Sequence, residues 1–299
     1  YVGSLPSGVE AGYKTGNGVN TPPEEKGINL EMTGTSGSSN TYTIRVSNDS
    51  GSSATITLGV QVGLDYNDLA LPSNGHLFEE IKLETVADYL LAGIGENGAI
   101  NTTDPDQTFI TGTDPNNYIW YSGKLWRAVS IDPSDNSVKL VTQWNISAIP
   151  YNASGNTAFE GSYMEEWLND TSVDGFLGNL REPEKFIKMD SEWNATLTTS
   201  TSKPAETTMV TDSVGLLNIY EYTMSYSATT NSNGYLNNGL FWWSITAYSS
   251  SDVRYVTYYG LANRTSPSDA SGVRPSINLK SSVRIVDGDG SADNPYRLN

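Results

Sequence analysis

Gly272-Val273-Arg274-Pro275-Ser276-Ile277-Asn278-Leu279-Lys280 sets an apolar run of period two around an arginine and a proline. Residues 273–279 read as a strand, and Arg274 beside Pro275 is expected to fix its loop against the core. Upstream, Phe241-Trp242-Trp243-Ser244 lies in a strand over 240–246, with Trp242 and Trp243 as framework, and a further strand covers 253–259. Downstream, strands over 282–286 and 296–298 flank the turn-rich Asp287-Gly288-Asp289-Gly290.

Further upstream, Asn117-Tyr118-Ile119-Trp120-Tyr121-Ser122-Gly123-Lys124-Leu125-Trp126-Arg127-Ala128-Val129 reads as two strands around a Ser-Gly turn, with Trp126 and Val129 in the core. A third strand, 138–144, follows a turn at 133–136. Three capping patterns start short helices. Thr85-Val86-Ala87-Asp88 precedes Leu90, Leu91 and a terminating Gly93; Ser162-Tyr163-Met164-Glu165 opens a helix burying Met164, Trp167 and Leu168. Asn218-Ile219-Tyr220-Glu221 repeats the pattern after a strand-like 213–217, and Pro183 suits the first turn of a helix through Lys188. Helices and strands in blocks, without a repeating βα unit, argue an α+β class.

The first part differs. Residues 1–27, rich in Gly, Pro and Ser, read as an extended arm. Residues 28–72 carry alternating stretches at 28–32, 42–46 and 54–62, the last two joined by Asn48-Asp49-Ser50-Gly51, which predicts a small Ig-like β-sandwich. Leu71-Pro72-Ser73-Asn74-Gly75 marks the boundary, and a second domain spans 77–299.

Composition excludes several chemistries. The 299 residues contain no Cys, so disulfides, thiolate catalysis and Cys-based zinc sites are excluded. His76, the single histidine, sits in a turn-like stretch and reads as a linker residue rather than a triad member. The formal charge of −17 disfavours nucleic acid and anionic lipid as partners and suits a soluble secreted protein. No apolar run is long enough to cross a bilayer, so no membrane insertion is expected. Tyr1 in place of an initiator Met suggests a processed or truncated chain.

Taken in order, Asn117-Tyr118, Gly123-Lys124-Leu125-Trp126-Arg127, Val214-Gly215-Leu216 with Glu221, Phe241-Trp242-Trp243-Ser244, the 272–280 run and Gly288-Asp289-Gly290 with Asn294-Pro295-Tyr296 carry a resemblance. The series, over roughly residues 77–299, resembles a large family of bacterial surface proteins. That family is similar to C-type-lectin-like and formylglycine-generating-enzyme-like folds, and its members serve as the variable proteins of diversity-generating retroelements. The resemblance implies a C-type-lectin-like domain, extracellular and displayed on a cell or virion surface. It also implies a diversifiable stretch over 244–271, used for adhesion or receptor binding. The formylglycine-generating activity needs cysteines and is excluded.

Tyr, Ser, Asn, Asp and Arg dominate 244–271, the mixture that paratopes use. Tyr248, Asp252, Arg254, Tyr255, Tyr258, Tyr259, Asn263 and Arg264 are the candidate ligand contacts; a half-buried strand over 255–257 is the alternative. The expected ligand is a protein or glycan on another cell surface, and the expected function is non-enzymatic. Glu165, Glu166, Asp170 and Asp174 could furnish a glycosidase pair, but Glu165 is already explained by its capping pattern. No cofactor is expected. Asp287, Asp289 and Asp293 leave a calcium loop open beside the preferred reading of a tight hairpin, since Leu298 stands where an EF-hand loop needs Glu. A structural subunit of a surface filament, self-associating through the N-terminal region, is the other expectation.

Overall fold

The computed structural model describes residues 9–14, 20–21, 43–48, 85–226 and 234–299, and the chain divides into two units, Tyr1–Lys82 and Leu83–Asn299. In the first unit β1 (Val9–Lys14) pairs antiparallel with β2 (Asn20–Thr21) and with β3 (Thr43–Asn48), the latter from Val9 opposite Asn48 to Lys14 opposite Thr43. The arm expected over 1–27 therefore contains two paired strands, β1 and β2, the first signalled by the alternation of Val9, Ala11 and Tyr13. The strands expected over 28–32 and 54–62, the boundary at 71–75 and His76 lie outside the described residues.

The second unit opens with α1 (Val86–Ala92), β4 (Gly98–Asn101), β5 (Thr108–Gly112), β6 (Tyr118–Tyr121), β7 (Lys124–Ile131), β8 (Val138–Thr142) and β9 (Ser147–Pro150). It continues with α2 (Tyr163–Asn169), α3 (Pro183–Phe186), β10 (Ser191–Asn194), β11 (Met209–Asp212) and α4 (Ile219–Met224). The last strands are β12 (Trp242–Ala247), β13 (Val253–Val256), β14 (Ala262–Thr265), β15 (Ala270–Val273), β16 (Ser276–Leu279), β17 (Ile285–Asp287) and β18 (Tyr296–Leu298).

The helix starts follow their caps. Asp88 N–H donates to Thr85 Oγ1 at 3.2 Å and Thr85 N–H to Asp88 Oδ2 at 2.9 Å, with Gly93 as C-cap. Asn218 and Glu221 exchange the same pair of bonds at α4. At α2 Ser162 caps Glu165 N–H at 3.1 Å, but the Glu165 carboxylate reaches back to Gly161 N–H, and Trp167 is only partly buried. Each helix then ends quickly. Asp170 turns its carboxylate onto Ser172 N–H at 2.7 Å, a local bond that competes with further helix.

No described helix exceeds seven residues, and strand outweighs helix among the described residues. The expected α+β class, with a C-type-lectin-like domain behind an Ig-like sandwich, is therefore corrected to a sheet-dominated fold. The cause is visible in the strands that sequence patterning missed. β4, β9, β10, β11 and β14 are four residues each, carry Gly, Asn, Ser or Thr, and are held by pairing rather than by their own propensity, β9 by the sequence-distant β15.

Two mixed sheets carry the unit. One runs β16-β8-β7-β6-β18-β17, with β5 pairing β7 and β4 pairing β5; the other runs β14-β13-β12-β15-β9. Ser122 (φ 52°) and Gly123 (φ 70°) form the two-residue turn between β6 and β7, both in the left-handed region that such hairpins require. The run 272–280 passes from one sheet to the other. Gly272-Val273 belongs to β15, Ser276 to Leu279 forms β16, and Arg274-Pro275 is the crossing. The single strand expected over 273–279 is thus broken there. Arg274 is fully buried, donating from Nε to Thr142 O (2.7 Å) and from Nη1 to Leu236 O (2.6 Å) while lying 4.8 Å from the Trp242 ring. Trp126, Trp193, Trp242 and Trp243 fill the core.

Candidate functional site

β12, β13 and β14 form an antiparallel meander, Trp243 opposite Tyr255 and Arg254 opposite Arg264. Trp242 and Trp243, on β12 itself, are buried, and Trp243 Nε1 donates to Ile149 O at 3.0 Å. The turn between β13 and β14 closes on itself, with Thr257 N–H donating to Leu261 O (2.9 Å) and Gly260 N–H to Thr257 O (2.8 Å). Two phenols of α4 and its end bolt this turn down: Tyr222 and Tyr226 donate to Gly260 O at 2.8 and 3.0 Å. Burial pushes the Tyr222 phenol up, so it stays a proton donor.

The anchored turn lifts Tyr258 and Tyr259 into solvent. Their rings lie 3.8 Å apart, and Tyr258 meets Phe241 edge-on at 5.2 Å. Tyr259 is 63% exposed, and Phe241, Tyr258, Leu240 and Leu261 are exposed with it. Sequence reading missed Phe241, Leu240 and Leu261. The signal was there in two large apolar residues directly before the buried Trp pair.

The other candidates have different places. Tyr255 is half-buried, 6.3 Å from Trp243 and 5.9 Å from Phe241, so it supports the face as much as it belongs to it. Arg254 is only 6% exposed, its guanidinium donating to Thr198 O and Thr199 O, which makes it an anchor for that loop. Arg254 and Arg264 both stack on Tyr248, at 4.8 and 4.1 Å, and Arg264 is exposed. Asp252 accepts from Ser249 Oγ (3.0 Å) and Ser251 Oγ (3.2 Å) and so holds its own loop. Asn263 is exposed opposite Tyr255, with Oδ1 accepting Arg264 N–H at 2.9 Å.

Elsewhere, Asp287 Oδ1 and Asp289 Oδ1 accept N–H groups of Gly288 (2.8 Å) and Ser291 (2.9 Å). Among the described residues no group of three acidic or histidine side chains is arranged to hold a metal ion. Of the acids raised as a glycosidase pair, Glu165 and Asp170 are engaged with backbone N–H groups of their own loops. Asp212 is an acid shifted upward: burial first, then the charge and hydrogen bond of Glu165 and the charge of Glu160, push it up to about 7.

A family described as a domain of unknown function, DUF6273, matches residues 135–281, a span that includes the aromatic face and the 272–280 run. No curated protein and no solved structure matches the chain.

Proposed function

We propose that the chain is a non-enzymatic ligand- or receptor-binding protein of a cell or virion surface, meeting a protein or glycan partner through Phe241, Tyr258, Tyr259 and Leu261. The observation that carries this reading is an exposed cluster of aromatic and aliphatic side chains, from Phe241 and from a turn held by Tyr222 and Tyr226. Contiguous exposed apolar side chains mark interaction sites. Tyrosines held rigidly lose little entropy on binding, and Asn263 and Arg264 beside them supply adaptable polar contacts. The resemblance of the 272–280 run to variable surface proteins supports the same face, since the diversifiable stretch of those proteins precedes that run.

An array of glycans and surface proteins, probed with the intact chain and with Tyr258→Ala/Tyr259→Ala, tests it. Binding retained by the double variant, or a chain that only polymerises through its N-terminal region, would remove the reading. A reverse transcriptase and a near-copy template of codons 244–271 beside the coding sequence are the expected genetic context. Uniform sequence across related loci would remove the diversification.

A further inference from the structure

Besides the aromatic face, a hollow of about 410 Å³ is lined by Thr113, Asp114, Tyr118, Arg127, Gln143 and Tyr235, among others. Arg127, on β7, is 1% exposed and lies between two rings, 3.6 Å from Tyr118 and 4.7 Å from Tyr235. Its Nε donates to Asn117 Oδ1 at 2.6 Å. The rest of the fork is loosely held: Nη1 to Gln143 Oε1 at 3.4 Å, Nη2 to Pro115 O at 3.3 Å and to Asp114 Oδ1 at 3.4 Å. Charge-assisted bonds of this type normally close to about 2.7–2.9 Å.

A second guanidinium sharpens the imbalance. Arg274 is fully buried, its Nη2 has no partner, and burial together with the charge of Arg127 disfavours its charged form. Among the described residues, Asp114 is the sole carboxylate in ion-pair range of either arginine, and its side chain is 58% exposed. Of the two buried cations only Arg127 has a counter-charge, loosely attached and solvated, an arrangement that an additional anion would relieve.

We propose that this hollow binds a small carboxylate ligand, whose carboxylate takes the Arg127 edge that Asp114 and Gln143 hold at 3.4 Å. The planar fork of arginine matches the two oxygens of a carboxylate. The volume falls in the lower range of small-molecule sites and suits a ligand the size of an acidic monosaccharide. Thr113 and the Gln143 amide offer hydrogen bonds to its hydroxyls. Asp114, tied to Tyr118 Oη at 3.0 Å, is a placeholder that the ligand displaces. Its lining shares no residue with the aromatic face, so the site stands whatever binds there.

Thermal unfolding of the full chain with acetate, glucuronate, inorganic phosphate, chloride or glucose, at matched ionic strength, tests the proposal. A ligand that binds the native state alone raises the melting temperature saturably. Acetate and glucuronate are expected to do so, and chloride and glucose are not. Asp114→Asn, at an exposed position, removes the competing carboxylate and is expected to tighten glucuronate binding several-fold. Thr113→Trp fills the hollow from its exposed rim and is expected to abolish the shift. No shift in wild type or in Asp114→Asn, or a shift surviving Thr113→Trp, would overturn the site. A shift with phosphate alone would overturn its assignment to carboxylates.

Discussion

A Cβ at position 272 would lie 1.8 Å from Asn145 Nδ2 and 2.4 Å from Phe241 O, so the glycine that opens the 272–280 run is dictated by close approach of backbone. Gly272→Ala is expected to lower stability by about 3 kcal/mol in chemical denaturation, the upper range of overpacking. Asp212 predicts a pH dependence. Folded, it keeps its proton up to about 7 against an ordinary 3.8, so between those values the native state binds more protons than the unfolded one. Stability contributed by this group therefore falls as pH rises from 4 to 7 and stays low above. Asp212→Asn should flatten that part of the melting-temperature profile and stabilise the fold at about pH 8; an unchanged profile would sink the assignment. Single residues were partly legible. Tyr258 and Tyr259 stand exposed as paratope chemistry suggests, whereas Arg254 turned out to be an anchor, because Thr198 and Thr199 approach it only through tertiary folding.

Among the elements, the turn 257–261 depends on α4. Tyr222→Phe/Tyr226→Phe removes both hydrogen bonds to Gly260 O and is expected to cost about 1–2 kcal/mol, at roughly 1 kcal/mol per bond. Amide exchange at Gly260 and Leu261 should quicken more than exchange in β7; equal quickening would mean a general loss of packing instead. Helix starts were legible because Thr85 with Asp88, and Asn218 with Glu221, make their bonds within a few residues. Helix ends and weak strands were not. Ser147–Pro150 becomes a strand because residues 270–273 lie beside it, a partner that no local pattern reveals.

For the whole molecule, a formal charge of −17 sets a repulsive background. The melting temperature is expected to rise as salt increases from about 10 mM to about 150 mM, over which the screening length shrinks from ~30 Å to ~8 Å. A fall in melting temperature over that range would mean that attractive ion pairs dominate. The balance of helix and sheet was misjudged at this scale because block order along the chain does not reveal which strands pair, and two mixed sheets joined through Arg274-Pro275 emerge only from long-range register. The central claim is that the proposed binding face is separable from the scaffold beneath it. Thermal unfolding of a library randomised at Tyr258, Tyr259, Leu261, Asn263 and Arg264 tests this most directly. Most members are expected to melt cooperatively within a few degrees of the parent, since exposed positions usually shift stability by about 0.5 kcal/mol or less. Widespread loss of the cooperative transition would show that these side chains belong to the core and contradict the account.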